Sequence, residues 1–420
     1  MSAVAKFTPR YRAETASLGL IDWEKLTDIS AEWVNALRRR ARVSLNETGL
    51  PTQKLERWKY TNLMAKLKKM TLSYQDADIN LSGLTDYAYS FPKGMLHFPQ
   101  WAQDMVERDA PSNEKYGDMM LWDLAGAYLK DGFILDVPAE SKNNRALNVT
   151  ISGCDGAYFV ARQVIRIAEG AEFTLIEYQN GSGSYWGNIV TQIEVAKGAT
   201  FKHYRFQENS DEAVMTQNTH IVMEEGAAYE AFTMTNGANL SRNQIHADLN
   251  GENIICTLNG VNMLGASELA DTTITVDHCA PHCKSYQNYR TVAGDKATGV
   301  FQGKVHVHQI AQKTDGYQMA KSLLLSPQAT INTKPELEIY ADDVKCSHGA
   351  TTGRLDDEAL FYLRSRGIPE NQARNLLIQA FVGEVIADIG CDEVREQAEL
   401  IIASWLHSLD EPTSVDWGEV

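Results

Sequence analysis

Short runs in which apolar and polar residues alternate recur through the middle of the chain. They run from Val164 to Ile167, Phe173 to Ile176, Ile193 to Val195, His220 to Met223 and Val305 to Val307. Each is bounded by Gly, Asn, Asp or Ser, and a period of two between turn residues predicts half-buried strands. The runs also belong to a longer repeat. Ile167-Ala-Glu-Gly170-Ala-Glu-Phe173 returns as Val195-Ala-Lys-Gly198-Ala-Thr-Phe201 and again as Met223-Glu-Glu-Gly226-Ala-Ala-Tyr229. The glycines are 198 − 170 = 28 and 226 − 198 = 28 residues apart, with a weaker echo at Asn250-Gly251. A fixed period that carries strands and little helical pattern predicts a coiled stack of β-strands. Glycine suits the turn because a positive φ costs it no steric clash. The aromatic that follows would point inward and stack on its counterpart one coil on, each such side chain contributing roughly 1.5–3 kcal/mol. A β-sandwich with a fortuitous repeat is the alternative.

The flanks follow a different period. Ser30 is placed to cap a helix from Ala31, with Trp33, Val34, Leu37 and Val43 as an interrupted apolar stripe and Gly49 and Pro51 as its end. From Asp356 the helical period returns. Ala359, Leu360 and Leu363 lead to Gly367, and Pro369 opens a second helix carrying Ala373, Leu376, Leu377, Ala380, Phe381 and Val385. A last helix carries Val394, Leu400, Ile401, Trp405 and Leu406. Packing on the β-stack is the first expectation for these apolar faces, and docking of another subunit the second. The expected division is a helical and mixed region over 1–135, a strand stack over 136–350 and a helical domain over 351–420.

Composition narrows the function. The formal charge of −16 disfavours nucleic acid and anionic lipid as partners. The first twenty residues show no secretory signal, and no apolar run reaches the length of a membrane span. Six scattered cysteines do not make a disulfide framework, so the expectation is a cytoplasmic protein with free thiols. Gly299-Val-Phe-Gln-Gly303-Lys304 has the wrong glycine spacing for a phosphate loop, with Val305 where a hydroxyl should hold magnesium. The chain is therefore not expected to hydrolyse ATP itself.

Four clusters could carry chemistry. His278-Cys279-Ala-Pro-His282-Cys283 offers four potential ligands, although their contiguity departs from common zinc spacings. His306 and His308 would share one face of a strand. Glu336, Glu338, Asp342 and Asp343 form an acidic stretch that could do acid–base work or simply be solvated. The fourth is Cys346-Ser-His348-Gly349, which a strand end can present with little cover. With reference pKa values near 8.5 and 6.5, about a tenth of the thiol and most of the imidazole are ready to coordinate near pH 7.5. His348 is thus the better ligand unless a neighbour lowers the thiol's pKa. On spacing alone, a buried Cys and a hydrogen-bonded His at a domain joint is the favoured reading.

The run from Lys334 to Thr351, with Phe361-Tyr-Leu-Arg-Ser-Arg-Gly-Ile368, resembles the SufB/SufD family of iron–sulfur cluster assembly proteins. Ala311-Gln-Lys-Thr314, Gln318, Leu323-Leu-Leu-Ser326, Pro51-Thr52 and Trp58-Lys-Tyr-Thr61 resemble it too. The resemblance implies a right-handed parallel β-helix flanked by N- and C-terminal helical regions. It also implies a non-catalytic scaffold subunit of the SUF complex. SufB chains typically have Glu where Cys346 and Gly349 stand here, so the chain resembles the other branch of the family, for which the resemblance implies SufB as partner through the β-helix. A nascent iron–sulfur cluster would be shared across that junction, with His348 as the metal ligand on this side and Cys346 beside it. The ATPase SufC would dock on the C-terminal helices, at residues such as Phe361, Leu376, Leu377 and Phe381. Whether a reduced flavin binds the assembled complex, and whether the isolated chain pairs with itself, stay open. The competing readings are a β-helix enzyme acting on polysaccharides and a metal-binding β-helix acting alone.

Overall fold

The computed structural model describes residues 31–91, 98–108, 120–142 and 145–410. Ser30 lies outside them. Its centre is a β-solenoid of about eight coils. Successive strands from Gly132–Val137 to Lys345–Arg354 alternate between two sheets. Within each sheet, every one of these strands pairs in parallel with its equivalents one coil away. Sheet 1 ends on Thr330–Ile339 and sheet 2 on Lys345–Arg354. The sandwich alternative is excluded by this pairing, because no two consecutive solenoid strands share a sheet.

The 28-residue repeat is one full coil. Gly170, Gly198 and Gly226 take φ of +67°, +63° and +68° at the same corner. Each donates its N–H to the corner of the next coil, at Lys197 O (3.0 Å), Glu225 O (2.9 Å) and Glu252 O (2.8 Å). Phe173, Phe201 and Tyr229 follow on the inside, aligned by register and fully buried. The weaker echo resolves differently. In later coils the left-handed corner residue is Asn253, then His282, then Lys313, each with φ near +60°. Gly251 serves another purpose, since a Cβ there would stand 2.1 Å from Glu225 N.

The flanking helices coat the two outer faces. The helix Glu32–Thr48 buries Val34, Leu37, Ala41 and Leu45 together with Asn35 and Arg38, and the Arg38 guanidinium donates to Leu129 O. Val43, expected on the apolar stripe, is 59% exposed. Downstream, Trp58 and Thr61 clamp the N-terminal region onto sheet 1. Arg242 stacks over Trp58 at 3.9 Å, and Asp271 joins Arg242 and the Thr61 hydroxyl. The helices Glu370–Ile386 and Asp392–Asp410 cover sheet 2, packing Ile378, Val382, Val385 and Ile401 against Tyr204, Phe206, Phe232 and Val261. Core packing was therefore the correct expectation for these two helices.

The two ends of the solenoid differ. At the N-terminal end the short strands Asp78–Gly83 and Ala88–Ser90 pair antiparallel with the first coil. At the C-terminal end, Thr330–Ile339 and Lys345–Arg354 each pair on one side only among the described residues. Their side chains are half-buried or exposed throughout.

Two stability predictions follow from the corner and the interior. Gly198→Ala meets no atom within 4 Å, so it should lose only the left-handed strain of about 1–2 kcal/mol. Gly237→Ala, whose Cβ would stand 2.1 Å from Asn209 O, should lose more, as urea midpoints of the two variants would show. Phe201→Ala, deep in the interior column, should cost about 3–5 kcal/mol in the same measurement.

Candidate functional site

Interior side chains of a solenoid form columns, one residue per coil. One column of sheet 2 runs Phe173, Phe201, Tyr229, Cys256, Ser285, Gly316 and Cys346. Its neighbour, two residues along each strand, runs Leu175, His203, Ala231, Leu258, Gln287, Gln318 and His348. Cys346 and His348 thus occupy interior positions of the terminal coil. Among the described residues no further coil covers them, so residues at core positions face the open end.

Their surroundings differ. Cys346 leans over Gly316, where an added Cβ would stand 3.3 Å from its Sγ. It packs beside Val305, Val307, Ala311 and Ala341. Burial pushes the Cys346 thiol up from its ordinary pKa, only partly offset by a backbone hydrogen bond from Gly316. At neutral pH it is therefore chiefly the thiol, a weak ligand and nucleophile. His348 is exposed, over a column that has turned polar. Beneath it Gln318 is fully buried, and its Nε2 donates to Gln287 Oε1 at 3.4 Å. The arrangement offers one accessible imidazole and one reserve thiol on a rigid strand. That suits a site completed from outside.

The residues expected to dock a partner fall on two levels. The helix Asp357–Ser365, capped by the Asp356 carboxylate on Glu358 N and Ala359 N, has no buried residue. It leaves Phe361 73% and Tyr362 56% exposed. Leu376 is also exposed, on the outward side of the next helix. Leu377 and Phe381 are half-buried, and Arg290 approaches the Phe381 ring at 5.6 Å. Phe361 and Leu376 are consequently available to a partner, whereas Phe381 already packs on the solenoid.

The remaining clusters separate or rearrange. His278 and Cys283 point into the solenoid, where His278 Nε2 lies 2.9 Å from Ser285 Oγ and Cys283 Sγ approaches Gly251 O at 3.1 Å. His282 is the corner residue, and Cys279 is half-buried. The four ligands do not converge. Glu336 and Glu338 are matched by Lys334 and Lys304 at 3.1 and 2.7 Å, and Asp343 by Lys313, so three of the four acidic residues are paired locally.

His306 and His308, by contrast, gain company that linear reading missed. Register places Asp277 beside His306 and Asp248 beside Asp277. His220 and His246 stand next to Asp248, with Nε2 to carboxylate distances of 2.9 and 3.1 Å. The only signal for this row was the coil period itself. Asp248, Asp277 and His306 are each 29 residues apart (277 − 248 and 306 − 277).

Comparison with known proteins identifies the family of the chain. Residues 149–381 match the family model "SUF system FeS cluster assembly, SufBD core domain", and residues 22–87 match "SufBD protein N-terminal region". The iron–sulfur cluster assembly protein SufD of Escherichia coli K12 is 31% identical over 408 residues, covering 91% of this chain and 95% of that protein. The chloroplastic protein ABCI7 of Arabidopsis thaliana is 36% identical over 243 residues, 56% of this chain and 51% of its own length. A SufBD family protein of Mycobacterium leprae is 32% identical over 272 residues, 63% of this chain and 68% of its own length. The core-domain match spans more than half of the chain and one relative aligns over nearly its full length, so the chain belongs to the SufBD family of iron–sulfur cluster assembly proteins.

Proposed function

We propose that the chain is the scaffold subunit of a SUF assembly complex, pairing with SufB at the open end of its solenoid. The observation that carries the reading is the placement of His348 and Cys346 at interior positions of a coil that no further coil covers among the described residues. A second solenoid stacked there would pair the two free strand edges and enclose both side chains in one step. Iron–sulfur clusters are held chiefly by thiolates, and one imidazole cannot hold one alone. A site shared across the junction needs only His348 from this side and cysteine from the partner. The nascent cluster is then cargo, assembled in a space neither chain encloses by itself.

SufC is assigned to the C-terminal helices, where the exposed Phe361 and Tyr362 and the neighbouring Leu376 offer aromatic and aliphatic anchors. The chain itself supplies no catalytic step, and no described residue is assigned to the reduced flavin. The six free cysteines suit a reducing, cytoplasmic setting. Among the described residues no helix is long and apolar enough to cross a membrane. Membership of an assembly family argues against the polysaccharide-active alternative.

Co-expression with SufB and SufC should yield a complex of all three chains. His348→Ala should leave that complex intact and remove most of its cluster loading under anaerobic conditions, followed by visible absorption. Full loading in the variant would exclude His348 from the site. Phe361→Asp should weaken SufC binding by about 2 kcal/mol or more, roughly 30-fold, while SufB stays bound. Retention of SufC at wild-type affinity would place its docking surface elsewhere. Because burial raises the Cys346 pKa, alkylation of this thiol in the free chain should be slow at neutral pH and accelerate as pH rises past the ordinary cysteine range. Mass spectrometry of the labelled peptide would read the rate, with the exposed Cys154 as the internal standard.

A further inference from the structure

On the outer face of sheet 1, away from His348, a row of imidazoles and carboxylates crosses four adjacent strands. His220 contacts Asp248, Asp248 contacts His246, His246 contacts Asp277, and Asp277 contacts His306. His308 stands just past the end of the same strand as His306, their ring centroids 4.4 Å apart. At the hub of this end of the row is Asp277, whose side chain is fully buried although it carries a carboxylate. Its Oδ1 lies 2.5 Å from His306 Nδ1 and 3.9 Å from His308 Nε2. Its Oδ2 lies 3.3 Å from His246 Nε2.

The three groups Asp277, His306 and His308 each bring a ligating atom within 4.8 Å of the other two. Ligands on one first-row cation at bond lengths near 2.1 Å stand about 3.0–3.4 Å apart. The half-exposed His308 would close in by less than about an ångström, and the 2.5 Å contact of His306 Nδ1 with Asp277 Oδ1 would open by about half an ångström or more as the ion replaces the proton they share. The 3.9 Å gap is too long for a hydrogen bond, yet it leaves room for an ion to sit between imidazole and carboxylate. The second carboxylate oxygen is held by His246, the kind of outer contact that orients a ligating carboxylate. Two imidazoles and one carboxylate on a rigid strand face, open on one side, is a donor set for a borderline divalent ion.

We propose that Asp277, His306 and His308 form a binding site for a first-row divalent transition cation, separate from the His348 end of the solenoid. Two imidazole nitrogens and one carboxylate oxygen bind the ion, solvent completes its coordination, and His246 fixes the carboxylate from behind. The site does not depend on the partner chains, because all of its ligands come from this one.

Anaerobic titration of the isolated full-length chain with Co2+ tests this directly, since nitrogen and oxygen ligands give weak visible bands and thiolates an intense near-ultraviolet one. The expected result is one equivalent with a nitrogen–oxygen spectrum in wild type and equally in a Cys346→Ser/His348→Ala variant. His308→Gln, at a half-exposed position that does not threaten folding, should weaken binding at least about tenfold, and His306→Ala should do the same. Unchanged affinity in His308→Gln, with its circular dichroism melt intact, overturns the proposal. So does a thiolate-type spectrum. Loss of the equivalent in His220→Ala with His308→Gln unaffected would move the ion to the neighbouring group of His220, His246 and Asp248, and would also overturn it.

Discussion

A strand has two edges, and each must find backbone partners. In this protein that requirement is met coil by coil, since nearly every strand of the solenoid is paired on both sides by its own equivalents. No single coil could bury its apolar side chains or satisfy its amides alone. The stacking also fixes what lies inside, because parallel register sets each residue directly above its counterpart. Aromatics stack on aromatics in one column, and in another the chain accumulates glutamines until it reaches His348. The position of the candidate site is a by-product of where this stacking stops.

The interior is not uniformly apolar. Glu177 lies fully buried between Arg205 at 3.0 Å and His203 at 3.7 Å, with Gln163 donating to it at 2.8 Å. Burial alone would raise its pKa, but Arg205, His203 and Gln163 outweigh that and hold the carboxyl well below the usual range. Such a pair adds little net stability against an apolar replacement of equal volume, while losing either member would strand a buried charge. Outside, the flanking regions bind through equally specific contacts. The Trp58, Arg242, Asp271 and Thr61 clamp sits on one sheet, and Arg290 with Glu384 at 2.6 Å pins the C-terminal helices to the other.

Much of this was legible in the chain. Three glycines in one left-handed corner, each followed by an inward aromatic, mark the coil length wherever they recur. Past Gly226 the same corner is taken by Asn253, His282 and Lys313, and the coil lengthens, so that Ile255 pairs with Lys284, 29 residues on, and Thr298 with Thr330, 32 residues on. The repeat then fades from view although the geometry continues. Val43 was misplaced because the helix it sits on buries Arg38 and Asn35, polar residues that an apolar-stripe argument discounts. Cys346 and His348 were visible as a pair. Their interior orientation was not, because it depends on counting strand registers through the whole stack. The histidine and aspartate row was invisible for the same reason, its members being close only after several coils have been laid on one another.

The solenoid is asymmetric. Its first coil is closed off by short antiparallel strands, which cannot template further parallel growth, and among the described residues only its last coil has free edges of matching direction. A stack with two open ends could polymerise without limit. One with a single open end has a valence of one, so association through it terminates at a pair. A binding surface confined to that one end would be self-limiting, giving a finite assembly where a repeating β-structure open at both ends forms a fibre.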